Sequence, residues 1–213
     1  PAARRGGPPA EPDPPPDAWL AAEIAVLEAE GRGEQADEAR WRRFERNLSA
    51  DDLRTLIARL PDFEDVEATD RAFELAARHP DAMRGLAFLM DWPALREAAA
   101  LVMARSAEMR GGHERIPLWA SRLAGRHPAA GVILLRARAR ALAAMGAGLN
   151  EEVQALVAEA EGLASARGVS GLPDHADFVA GLRTGRRCSV SAALVDRRGV
   201  ALRRAGVQVA RAA

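Results

Sequence analysis

Histidine is the side chain best suited to exchanging protons or holding a metal near neutral pH, and this chain has four, at positions 79, 113, 127 and 175. None stands three or four residues from another, so no two can share the face of one helix as a helical zinc motif requires. His113-Glu114 lacks the second histidine of that motif and follows Gly111-Gly112, a loop signal. The single Cys188 excludes a disulfide framework or a multi-cysteine zinc site within the chain. Gly168-Val169-Ser170-Gly171 departs from the Gly-x-Ser-x-Gly turn of a nucleophile elbow, and no glycine pattern fits a phosphate loop. Glu64, Asp65 and Glu67 have the chemistry of acid–base catalysts, but three carboxylates at a helix entrance read as a solvated cap facing the positive end of the dipole. These residue types assign the chain no catalytic group, no cofactor and no metal ligand.

What remains is electrostatics. All 30 basic residues are arginine, and they balance 30 carboxylates to a net charge of zero. The balance is uneven along the chain. Residues 11–70 carry 17 acidic side chains and 7 arginines, whereas residues 178–213 carry 8 arginines and only Asp196. Arg183, Arg186, Arg187, Arg197 and Arg198 form the candidate anion-binding or partner-binding set, with Arg203 and Arg204 beyond them. No aromatic side chains interleave with them to stack bases, so any contact with nucleic acid through this segment is non-specific. An acidic head and a basic tail can steer partners or let copies associate head to tail.

The elements that carry these residues read as helices. Alanine fills 48 positions and tyrosine is absent, a composition that favours helix and denies a sheet its usual aromatics. Leu20, Ile24 and Leu27 follow helical spacing up to a stop at Gly31-Arg32-Gly33, with Trp19 beside them, and a second helix runs from about Glu34 past Trp41 and Phe44. Ser49 followed by Asp52 marks the start of a third, which ends at Pro61. Residues 61–70 read as an acidic connection into a helix capped by Thr69 and buried through Phe73, Ala76 and Ala77. Pro93 opens a later helix, Asn150 caps another, and residues 174–183 form a last short one. Seven to nine helices are expected in all.

Arg-His-Pro occurs twice, at 78–80 and 126–128, each time after one Ala/Leu stretch and before another. The same 48-residue offset aligns Ala72 with Ala120, Leu75 with Leu123, Ala76 with Ala124, Ala82 with Ala130 and Leu86 with Leu134, which points to a recurring supersecondary unit. After Pro128, Leu134, Ala137, Ala141 and Met145 line one face, Leu135, Ala139 and Leu142 a second, and Arg136 and Arg140 a third. A helix with two apolar faces packs between neighbours, as the middle helix of a stacked array does. The fold class is all-α: a helical-repeat array of the tetratricopeptide-like α-solenoid kind, with right-handed stacking of helix pairs.

The expected organisation is a disordered proline-rich linker over 1–16, a helical repeat domain over 17–195 and a basic, frayed tail over 196–213. The chain opens on Pro1 without an initiator methionine, which reads as a piece of a longer or processed protein. No apolar run reaches the ~18 residues that cross a bilayer, and one cysteine suits a reducing cytoplasm; no membrane association is expected.

Four stretches resemble an uncharacterised family of bacterial proteins known only as a domain of unknown function. They are residues 39–49 around Trp41 and Phe44, residues 60–67 from Leu60 to Glu67, the run from His79 through Phe88 to Pro93, and residues 175–187 from His175 to Arg187. The resemblance covers most of residues 19–195 in order, and implies a tetratricopeptide-like helical array forming the C-terminal part of a longer protein. The family pattern continues after its Gly-Arg-basic triplet into Ser-Phe-Trp, where this chain reads Cys188-Ser189-Val190-Ser191 and lacks that aromatic anchor.

The expected function is a non-catalytic scaffold that binds a protein or peptide partner, or an upstream part of its own longer chain. Two alternatives stand beside it: a nucleic-acid-associated accessory module working through the basic C-terminus, and part of an enzyme whose active residues lie upstream.

Overall fold

A computed structural model describes residues 17–61, 63–147 and 150–184, and the candidate residues Arg186, Arg187, Arg197 and Arg198 lie outside them, as do the expected linker over 1–16 and tail over 196–213. The described residues contain ten α-helices and no strand, so the fold is all-α. That is one helix more than the upper expectation, and Pro93, expected to open a helix, lies in the turn two residues before the helix that starts at Leu95. Chain contacts divide the protein between Ala72 and Phe73 into two compact units.

In the first unit, α1 (Asp17–Ala29) buries Leu20, Ile24 and Leu27, which recur at the spacing that puts them on one face. Ile24 and Leu27 meet Ala36 and Ala39 of α2 (Gly33–Asn47), where small side chains let the two helices approach closely. Leu48 ends α2 in the left-handed conformation at φ 47°, a position glycine ordinarily takes; its side chain is buried and its backbone N–H donates to Phe44 O at 2.7 Å. α3 (Ala50–Ile57) starts where the sequence indicates: the Ser49 hydroxyl accepts from Asp52 N at 3.2 Å, and Leu53 and Leu56 are buried.

The unit boundary falls within α4 (Glu64–Arg78). This helix begins five residues before the expected Thr69 cap, because Glu64, Asp65 and Glu67 are its first turn, where carboxylates suit the helix dipole. Thr69 lies inside it and donates its hydroxyl to Asp65 O at 2.8 Å.

The second unit continues through α5 (Ala82–Asp91), α6 (Leu95–Ala104), α7 (Ile116–Ala124), α8 (Pro128–Leu142), α9 (Glu151–Ala166) and α10 (His175–Thr184). Both Arg-His-Pro triplets separate helices, by different devices. At the first, Asp81 caps α5 through Met83 N at 2.9 Å, and Arg105 reaches back to take His79 O at 2.6 Å and Ala77 O at 3.2 Å at the end of α4. At the second, His127 N–H bonds Leu123 O at 2.7 Å and Pro128 is itself the first residue of α8. The aligned pairs Ala72/Ala120, Ala82/Ala130 and Leu86/Leu134 are all buried, whereas Leu75 and Ala124 are half-buried where their counterparts Leu123 and Ala76 are buried, so the two copies use three of the five aligned positions alike.

α8 packs against α6, α7 and α9 and buries ten of its fifteen residues. Its two apolar faces are as the sequence indicates up to Leu142. Beyond it, a π-helical turn at Ala143–Ala147 with Gly146 at φ 90° ends the pattern, and Met145 is exposed rather than packed.

Candidate functional site

A groove of about 750 Å³ runs between α1 and α2 in the first unit. It exists because α1 carries two apolar stripes. One turns Leu20, Ile24 and Leu27 inward; the other places Trp19, Ala22 and Val26 along the groove at i, i+3 and i+7. Trp19 is 72% and Val26 55% exposed, an unusual state for two large apolar side chains on the same helix face. α2 supplies the opposite wall with Gln35, Glu38 and Arg42.

The charges around the groove sort into paired and surplus. Arg42 bridges the helices to Glu23 at 2.7 Å, Arg32 pairs with Glu30 at 2.7 Å, and the buried Arg40 is held by Asp37 and Glu28. Glu34 and Glu38, one turn apart on α2 and both exposed, make no ion pair among the described residues. The described residues from 17 to 72 carry fourteen carboxylates and eight arginines, so the groove lies in an acidic unit. Such a site offers apolar contact and carboxylates for cations. It brings together no nucleophile, base and orienting group.

Asp52 is the carboxyl of this unit whose titration the fold alters most clearly. Burial pushes its pKa above the usual carboxylate value, Arg43 at 3.5 Å works against that, and the charges of Asp17 and Asp51 add to the rise. The cause is local packing, and Asp52 does not line the groove.

Of the arginines singled out in the sequence, Arg183 alone is described; it is exposed in the last turn of α10. The histidines stay apart. His79 accepts from Asp81 N at 3.0 Å, His113 stacks on Trp119 with centroids 4.7 Å apart, and His175 stands 3.4 Å from Glu161. Among the described residues no three metal-ligating side chains converge. A second concavity, beside Arg136, Arg140 and Phe178, measures about 10 Å³ and has room for one water at most.

A family model matches residues 5–189. The chain belongs to the family of unknown function DUF6880. No curated protein and no solved structure matches it. The stretches that carried the resemblance in the sequence all lie within the matched span, and so does the groove of this DUF6880 chain. Sequence reasoning noted Trp19 but did not see the groove; the available signal was Val26, seven residues on, where a helix returns to the same face.

Proposed function

We propose that this chain is a non-catalytic interaction scaffold that receives a protein or peptide partner in the groove between α1 and α2. Exposure of Trp19 and Val26 on one helix face carries the reading, since an aromatic anchor in an apolar groove is what binding hot spots are made of. A helix laid into such a groove would present its own apolar residues at i, i+3 or i+4, and i+7. The finer architecture that suits this role is a tetratricopeptide-like stack of helix pairs with right-handed succession. The recurrence of buried positions at a 48-residue offset supports it. We place the protein in the bacterial cytoplasm, where a single cysteine suits the reducing conditions.

The test is peptide selection. A displayed library of amphipathic peptides selected on the full chain should yield binders whose affinity falls at least about tenfold on Trp19→Ala or Val26→Ser, with melting temperature unchanged. Binders indifferent to both substitutions, or none at all, would overturn the reading.

A further inference from the structure

The proposed scaffold role leaves the groove's occupant open, and the charge pattern narrows it. Arg32 and Arg42 at the groove are already neutralised by Glu30 and Glu23, whereas Glu34 and Glu38 are not neutralised by any described residue. A complementary ligand therefore carries aliphatic side chains for Trp19, Ala22 and Val26, and cations for Glu38 in the groove wall and for the exposed Glu34, one turn before it on α2. The sequence contains such a segment. Residues 185–213 hold seven arginines against one carboxylate, Asp196, interleaved with Val190, Leu194, Val195, Val200, Leu202, Val207 and Val209.

Resting on that reading, we propose that the groove between α1 and α2 docks residues 185–213 of a second copy of this chain. Zero net charge leaves no overall repulsion between copies, while the segregated acidic and basic parts attract one another. The contact is heterologous: each copy offers one groove and one basic segment, so association grows by addition of further copies or closes into a ring. Arginine suits the basic side of it, because its planar fork pairs with carboxylates while its stem covers apolar surface.

The single Cys188 lies in the docking segment and makes the test direct on the full chain. Chains enriched in nitrogen-15 and carrying Cys188→Ser are mixed with unenriched chains bearing a nitroxide on Cys188, so that any broadening of the observed amide signals comes from another copy. The expected result is selective broadening at Trp19, Ala22, Val26 and Glu38. It should vanish in about 1 M salt, where the screening length is about 3 Å. Glu34→Arg with Glu38→Arg should weaken association at least about tenfold, and Arg197→Glu with Arg198→Glu in the nitroxide-bearing copy should restore it. Both glutamates are exposed, so their reversal leaves the fold intact, which the amide spectrum itself verifies.

Absence of broadening between copies, or broadening that ignores the reversal at Glu34 and Glu38, overturns the proposal. So does broadening seen only when nitroxide and nitrogen-15 are in the same chain. If selected peptides still bind in a Trp19-dependent way in any of these cases, the scaffold reading survives and only the occupant is wrong.

Discussion

The guanidinium of Arg136 lies 5.0 Å from the ring centre of Phe178, and that pairing ties α10 to α8. Arg136 is itself 5% exposed and donates from Nη1 to Pro173 O at 2.7 Å, while Arg140, one turn on, faces the same ring at 5.5 Å. Phe178 is the one buried residue of α10. Phe178→Ala should therefore cost about 3 kcal/mol or more, through lost burial and the cavity left behind. Phe178→Leu, which keeps most of the apolar contact and loses the cation–π term, should cost about 1 kcal/mol. Urea melts of the two variants separate these outcomes; equal stability of Phe178→Ala and the parent would mean that α10 is not held this way.

Leu134 is completely buried in α8, on a helix enclosed by α6, α7 and α9. Leu134→Asp leaves an unpaired carboxylate there and should destabilise the chain by on the order of 3 kcal/mol or more. A melting temperature equal to the parent's would refute the packing described for α8.

Gly85 of α5 is present because nothing larger fits: a Cβ built on it would stand 2.2 Å from Ala76 O, in the backbone of α4. Gly85→Ala must push the helices apart, and it should cost about 2 kcal/mol even though alanine has the better helix propensity. Gly162, in α9, has open space at its Cβ and is the control: Gly162→Ala should stabilise by about 0.5–1 kcal/mol. Thermal melts of the pair should move in opposite directions.

Arg105 joins the end of α4 to the turn after α6. Its guanidinium donates to Ala77 O, His79 O and Pro80 O, and a hydrogen bond from Nε to Glu108 at 2.9 Å holds it in place. That bond is also the first cause of the lowered pKa of Glu108 and of the raised pKa of Arg105. Arg105→Ala strips the helix end of these donors and should cost about 2 kcal/mol. Arg105→Lys should recover less than half, because an ammonium cannot span three carbonyls with a fixed fork. Denaturant titration of both variants checks the order.

What could be read from the sequence was what is local. Ser49, Asn150 and the Arg-His-Pro triplets announce helix ends because caps and prolines act within a few residues, and the two apolar faces of α8 follow from spacing alone. What was misread involved competition or distance. The acidic run at 64–67 reads as a connection, although the same carboxylates stabilise a first turn, and along the helix that follows Ala77 is exposed while Ala72 and Ala76 are inside. Arg136 looked like part of a polar face; it is buried by Pro173 and Phe178, some forty residues away, and periodicity carries no trace of such contacts. The groove likewise depends on how α1 meets α2, and only exposure at Trp19 and Val26 reveals it.

Asp52 allows a prediction about pH with a definite sign. Burial raises its pKa in the folded chain, so the folded state binds its proton more tightly than the unfolded state, whose carboxyl titrates near the usual value of about 3.9. Below that value the group is protonated in both states and contributes nothing. As pH rises from there through the folded pKa, stability falls, and at neutral pH the whole penalty is present. Asp52→Asn removes the charge while keeping the shape, so the variant should match the parent in acid and exceed it at pH 7. Arg43, 3.5 Å away, offsets part of the penalty in the parent, so Arg43→Ala should lower stability at pH 7 and widen the gap to Asp52→Asn. Denaturant melts across that pH range decide the matter: a difference between Asp52→Asn and the parent that grows as pH falls would show that the ion pair, not burial, governs this carboxyl.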